Sequence, residues 1–172
     1  MTAPFRFETL GKQHDRSAFD CGEESLDRYF KTQATQDIRR RIANCFVALE
    51  AVTGQVAAYY TIAASSIPLV DLPEEVVRRL PHYPTLPAVR IGRLAVDLRC
   101  QGRGLGATLL VDAMRRTLQA PPAVYALVVD AKNDQAVAFY QRYGFRVIVN
   151  HPRMLFIPMA TAQKVFLEGA DR

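Results

Sequence analysis

Apolar and polar positions follow two periods along this chain, and each change of period marks an element. Phe5-Arg6-Phe7-Glu8-Thr9-Leu10 starts as a two-residue alternation and predicts a strand. Leu26, Tyr29, Phe30, Ala34 and Ile38 then recur every three or four residues, which places them on one helical face. Glu23, Glu24 and Asp27 lie near its start and Arg39, Arg40 and Arg41 at its end, so the charges complement the helix dipole. The spacing predicts one helix of about four turns. Cys45-Phe46-Val47-Ala48-Leu49 and Val56-Ala57-Ala58-Tyr59-Tyr60-Thr61-Ile62, divided by Thr53-Gly54, predict an antiparallel hairpin.

Residues 65–88 break the pattern. Five of the ten prolines (Pro68, Pro73, Pro81, Pro84, Pro87) fall there, with one short helix signalled by Pro73 at a first helical position, Glu74 and Glu75 behind it and Arg78-Arg79 closing. The excursion is too short for a core of its own, and loops this long in compact chains are more often functional than idle, so it is expected to wall a binding site.

The second half is more regular. Val89 to Asp97 reads as a strand, Gln101-Gly102-Arg103-Gly104-Leu105-Gly106 as a glycine-rich turn, and Ala107, Leu110, Val111, Met114 and Leu118 as a helical stripe ended by Pro121-Pro122. Val124 to Val129 is almost continuously apolar, as in a strand covered on both faces. Asn133 caps a helix through Tyr143, and Gly144 supplies its C-terminal turn. Phe145 to Val149 and Met154 to Ile157 predict two last strands, and Ala160 to Leu167 a helical tail. The fold class is α/β with a mixed sheet, expected as one domain over 1–172.

Composition narrows the class. A chain of 172 residues can bury a core without staples. No segment approaches the ~18 apolar residues of a membrane span, and MTAPFRFETL lacks the build of a signal peptide. Cys21, Cys45 and Cys100 form no paired framework, which suits a reducing cytoplasm, and no metal-ligand spacing is present. His14, His82 and His151 have no metal spacing either. The 22 basic against 17 acidic side chains give +5, and 18 of the basic residues are Arg, the better fork for phosphate.

The chemistry concentrates between residues 89 and 118. Glycines at 102, 104 and 106 allow successive backbone N–H groups to face one concavity, and the following helix adds its positive end, which makes an anion cradle. Arg99 and Arg103 stand beside it. Gly102-x-Gly104-x-x-Ala107 with Asp130 also satisfies a dinucleotide fingerprint, but only about 65 residues follow it and a hairpin precedes it, too little for a full dinucleotide sheet. No Lys-Ser or Lys-Thr follows the glycines, so the nucleotide-hydrolase loop is absent.

Gln101-x-x-Gly104-x-Gly106 after Arg93-Leu94-Ala95-Val96-Asp97, with Asn133-x-x-Ala136-x-x-Phe139-Tyr140-x-x-x-Gly144-Phe145 about 30 residues on, resembles the GNAT N-acetyltransferases. The resemblance implies a V-shaped mixed sheet flanked by helices, with acetyl-CoA as donor and CoA as product. It implies that the backbone of Leu94, Ala95 and Val96 pairs with the pantetheine arm. The N–H groups of Gln101, Gly102, Arg103, Gly104, Leu105 and Gly106 would take the pyrophosphate. Asn133 would orient the arm, Ala136 and Phe139 would line its wall, and Tyr140 would protonate the leaving thiolate. Strand 89–96 carries no acid to serve as base, which favours an α-amine, already partly neutral near pH 7, over a lysine.

Phe19-Asp20-Cys21-Gly22, Leu26-Asp27-x-Tyr29, Tyr59-Tyr60-Thr61, Leu80-Pro81-x-Tyr83-Pro84 and Ile91 to Asp97 resemble the toxin branch of that family. That resemblance implies acetylation of the α-amino group of aminoacyl-tRNA, a block of translation, a ribbon-helix-helix antitoxin and a possible homodimer. Arg78, Arg79, Arg90 and Arg93 are then the candidates for RNA contact, with Arg39 to Arg41 as a second cluster. Two other readings stay open: acetylation of a small amine or a protein N-terminus, and a module that binds acetyl-CoA or RNA without turnover.

Overall fold

The computed structural model describes residues 4–167. In chain order they form β1 (Phe5–Thr9), α1 (Glu24–Thr32), α2 (Ala34–Arg39), β2 (Asn44–Glu50), β3 (Val56–Pro68), α3 (Glu74–Val77) and β4 (Thr85–Val96). There follow α4 (Leu105–Gln119), β5 (Ala126–Asp130), α5 (Asp134–Arg142), β6 (Arg146–Ile148), β7 (His151–Pro158) and α6 (Met159–Ala162). The seven strands make one mixed sheet in the order β1-β2-β3-β4-β5-β7-β6. Its parallel pair joins Ala88–Ile91 of β4 to Ala126–Val129 of β5, while β1 with β2, β2 with β3, β5 with β7 and β6 with β7 run antiparallel.

The chain divides into two compact units, Met1–Ala63 with Gly92–Asp112 and Ala64–Ile91 with Ala113–Arg172. The core of the first joins one face of the early helices to the hairpin. Phe30 stacks on Tyr59 at 4.2 Å with nearly parallel rings, and Phe19 meets Phe30 edge-on at 4.9 Å. Leu10, Cys45, Val47 and Ala95 close the cluster. In the second unit Ile67, Leu72, Leu86, Ala88, Ala126, Val128, Ile148 and Phe156 form the core, with Val76, Val77 and Leu80 against it. The short α3 therefore packs on its own unit.

Four expectations change. The single early helix is two helices broken at Gln33, where φ is −116°. At the break Tyr29 and Gln33 both donate to the buried Asp37, at 2.7 and 3.0 Å. The irregular stretch also shrinks, because β3 continues to Pro68 and β4 starts at Thr85. Pro87 is tolerated inside β4 because it is exposed and its carbonyl still accepts from Tyr125 N at 2.9 Å. Pro73 caps α3 rather than opening it. On α4 the buried face is Leu105, Leu109, Leu110, Ala113, Met114 and Thr117, with Leu118 exposed, so the buried stripe is rotated from the expected one toward Leu109, Ala113 and Thr117.

Candidate active site

In the first unit the site begins where β4 ends. Ala95 turns into the core, and Leu94 and Val96 are half-buried on the other face of the strand. All three lie beyond Ile91, the last β4 residue in register with β5. Asp97 N then donates to Ala57 O at 2.8 Å, and the Asp97 side chain caps the short turn Leu98–Cys100. That carboxylate is 2% exposed and accepts Asp20 N at 3.1 Å and both Arg99 N and Arg99 Nε at 3.0 Å. Burial pushes its proton affinity up, but the hydrogen bonds from Arg99 and Asp20 outweigh burial and hold it below the usual carboxylate range.

The turn itself is exposed from Gln101 to Gly104. Gly102 and Gly104 have φ of +77° and +75°, the left-handed region that side chains disfavour. A Cβ on either would meet nothing within 4 Å, so the space beside both is open. Gly106, the third glycine of the pattern, already belongs to α4. In α4 the first backbone bond is Thr108 N to Gly104 O at 3.2 Å, which leaves the N–H groups of Leu105, Gly106 and Ala107 without partners in the helix. Two left-handed residues leading into a helix start, with open space beside them, fit the paired phosphates of a nucleotide cofactor.

The side chains around the turn are more committed than their residue types suggest. Gln101 Nε2 donates to Val96 O at 3.0 Å and to Cys21 O at 3.2 Å, so this residue holds the turn against the strand. Arg99 is bound to Asp97 and, through Nη1, to Gln55 Oε1 at 2.5 Å. The Arg103 guanidinium lies 5.1 Å from the centre of the Phe5 ring.

The second unit carries the helix with the expected acid. Asn133 Oδ1 accepts Ala136 N at 2.8 Å and caps α5, a bond worth about 1 kcal/mol to such a helix. Ala136 and Phe139 are half-buried, and Tyr140, one turn beyond Ala136, is 6% exposed. Phe139 and Phe145 hold the Tyr140 ring edge-on at 5.2 and 5.5 Å. Burial, followed by the nearby Asp130 charge, pushes the Tyr140 hydroxyl up to about 12, so it keeps its proton across the physiological range.

The four arginines proposed for RNA separate into two kinds. Arg78 and Arg79 are exposed, Arg78 making only a 2.9 Å surface pair with Glu74. Arg90 instead binds Asp130 Oδ2 at 2.5 Å across the parallel pair, and its Nε is buried without a partner. Arg93 sits 3.5 Å over the Tyr29 ring. Arg90 is in register with Val128, two residues before Asp130, which brings the two side chains together. Among the described residues no three His, Cys, Asp or Glu side chains are grouped to hold a metal, and no helix is long and apolar enough to cross a membrane.

A strand leading through left-handed glycines into a helix, in a mixed sheet whose next helix presents a buried tyrosine, is the frame of an acetyl-CoA-dependent acetyltransferase. The family model for the acetyltransferase (GNAT) domain matches residues 76–162, and the chain belongs to that family. A tRNA-acetylating toxin of Mycobacterium tuberculosis is 36% identical over 151 residues, 87% of this chain and 89% of its own length. The solved structure of AtaT complexed with acetyl-methionyl-tRNAfMet aligns with a TM-score of 0.86 at 31% identity, over 94% of this chain and 99% of the other. A tyrosine-to-phenylalanine mutant of AtaT bound to the C-terminus of the antitoxin AtaR and acetyl-CoA aligns at 0.78 and 27% identity, over 96% and 99%.

Proposed function

We propose that this acetyltransferase modifies the α-amino group of aminoacyl-tRNA and so acts as the translation-blocking toxin of a toxin–antitoxin pair. The observation that carries the reading is the near full-length likeness to AtaT in its acetyl-methionyl-tRNA complex, at a TM-score of 0.86. The exposed Arg78 and Arg79 supply positive charge suited to an RNA backbone. Arg90 and Arg93, the other two candidates for RNA phosphate, are each engaged within their own unit, by Asp130 and by Tyr29.

Acetyl-CoA supplies an activated thioester. Backbone N–H groups of Gln101, Gly102, Arg103, Gly104, Leu105 and Gly106 hold its pyrophosphate, and the backbone of Leu94, Ala95 and Val96 aligns its pantetheine arm. The Val96 carbonyl already accepts from Gln101, so the Val96 N–H is the better placed of its two backbone groups to bond the ligand. Asn133, whose Oδ1 is used in the cap, has its amide NH2 left to orient the arm, with Ala136 and Phe139 as wall. The neutral amine attacks the thioester carbonyl, an amide of the 94–96 segment stabilises the oxyanion, and the C–S bond breaks. Tyr140 passes its proton to the departing sulfur and regains one from the acetylated nitrogen, so charge and protons balance.

Likeness to AtaT bound to AtaR supports an antitoxin that holds this chain until released, and we assign it to the ribbon-helix-helix class. A second copy of the chain would extend the basic surface along the tRNA, and the cytoplasm, where charged tRNA resides, is the site of action. Labelled acetyl-CoA offered with pooled aminoacyl-tRNAs, polyamines and peptides tests the reading: label on deacylation-sensitive tRNA supports it, and label on polyamines or peptides alone overturns it.

A further inference from the structure

The segment Phe19-Asp20-Cys21-Gly22 has no part in the chemistry above, yet it makes an unusual set of long-range bonds within the first unit. Phe19 is 2% exposed and anchored edge-on to Phe30 and Tyr59, at 4.9 and 5.6 Å. From that anchor the chain turns back on itself. Gly22 N donates to Asp20 Oδ1 at 2.9 Å, and Cys21 N donates to Asp27 Oδ1, on α1, at 3.0 Å. Three further bonds then reach the residues leading into the glycine turn. Asp20 N donates to Asp97 Oδ2 at 3.1 Å, Leu98 N to Asp20 O at 2.8 Å, and Gln101 Nε2 to Cys21 O at 3.2 Å.

We infer that residues 19–22, held by Asp27, form a clamp that sets the position of the glycine turn 101–106, and that Asp27 is a positioning residue for the diphosphate of the acyl donor. This deepens the reading of that turn as the pyrophosphate cradle and is independent of which amine is acetylated.

Backbone N–H groups bind a diphosphate well only if they are fixed before it arrives, since ordering a loose loop on binding is deducted from affinity. The turn cannot fix itself. Gly102 and Gly104 have no side chains to pack, and the space where a Cβ would begin is empty at both. On the turn's C-terminal side Gly104 O is tied to α4 by Thr108 N at 3.2 Å and Thr108 Oγ1 at 3.1 Å; on its N-terminal side the clamp bonds three of the five residues from Asp97 to Gln101. Gly22 is part of the fit. Its φ is +89°, and a Cβ there would stand 3.3 Å from Leu98 Cδ2, against the same approach segment. Asp27 acts one step back, by receiving the Cys21 N–H and so holding the peptide whose carbonyl Gln101 grips.

Comparing donors with and without the diphosphate tests the clamp. With Asp27→Ala, the Kd for CoA should rise about tenfold, because the released Cys21 peptide loosens the turn and the diphosphate must then order it, while kcat at saturating acetyl-CoA stays within about twofold. Turnover of S-acetylpantetheine, which lacks the diphosphate and adenosine, should be unchanged, and this also shows that the variant is folded. Asp27→Asn retains Oδ1 as acceptor and should restore CoA affinity. Unchanged CoA affinity in Asp27→Ala, or equal loss with CoA and S-acetylpantetheine, overturns the clamp. Should Asp27→Ala fail to fold, Gly22→Ala is read against the same two donors with the same outcomes. A wild-type chain that binds no CoA would instead overturn the reading of the cradle itself.

Discussion

The guanidinium of Arg93 lies 3.5 Å from the centre of the Tyr29 ring, a face-on cation contact between β4 and α1. The hydroxyl of the same ring donates to Asp37 at 2.7 Å. Residues from a strand and two helices are thereby joined through one aromatic side chain, whose hydroxyl is pushed up first by burial and then by its bond to Asp37. Arg93 stands next to Leu94, so the contact fixes the strand at the point where it is proposed to meet the pantetheine arm.

Removing the hydroxyl alone isolates part of this arrangement. Tyr29→Phe keeps the ring for Arg93 but leaves Asp37 with only the Gln33 side-chain donor. A loss of about 1 kcal/mol is expected, lowering Tm by about 2–4 °C in a domain of this size, measurable by calorimetry.

Asp37 also predicts a pH dependence. The hydrogen bond from Tyr29, then that from Gln33, holds its carboxyl below the usual aspartate range. A depressed folded value means that its contribution is present above about pH 4 and is lost as pH falls through the lower folded value. Denaturant titrations of Asp37→Asn should therefore show a flatter acid limb than wild type below about pH 4, at lower stability near neutrality.

Tyr140→Phe removes the proposed acid and little packing. Turnover should fall by ~10²- to 10⁴-fold while CoA affinity holds. Burial keeps the wild-type hydroxyl protonated up to about 12, so Tyr140 should give the wild-type rate no descending limb between pH 7 and 10. A descending limb in that range that disappears in Tyr140→Phe would show that the hydroxyl ionises much earlier.

Charge reversal at Arg78 and Arg79 tests the acceptor surface. Both side chains are exposed, so the double glutamate variant should fold normally, lose tRNA acetylation and show a shallower dependence of the remaining activity on salt, at unchanged CoA affinity. Arg90→Ala should differ, because it strips Asp130 of its 2.5 Å partner and perturbs the surroundings of Tyr140 even without RNA.

The elements most legible in the sequence are those whose signals are local. Asn133 three residues before Ala136 specifies a cap, and the glycines at 102 and 104 specify left-handed turns, because both depend on backbone geometry within a few residues. The break at Gln33 carries neither Pro nor Gly and coincides with the side-chain bonds of Asp37, which periodicity does not register. Prolines gave the opposite error. Pro68 and Pro87 suggested an interruption, but one ends a strand and the other stands exposed in a strand, its carbonyl still bonded. The duties of Arg90 and Arg93 depend on Asp130 and Tyr29, 40 and 64 residues away along the chain, so residue type and charge singled them out for RNA phosphate where the fold supplies partners from the chain itself.

Gly102 and Gly104 separate two requirements that a glycine usually combines. Nothing crowds either position, so what excludes other residues is handedness and not volume. Ordinary L-alanine at Gly104 should cost about 1–2 kcal/mol in strain or shift the turn. D-alanine, introduced by peptide ligation, prefers positive φ and should leave the turn intact or stiffen it. The donor site would then tighten on the mirror-image residue and weaken on the natural one, a chiral preference set by the backbone before any ligand is present.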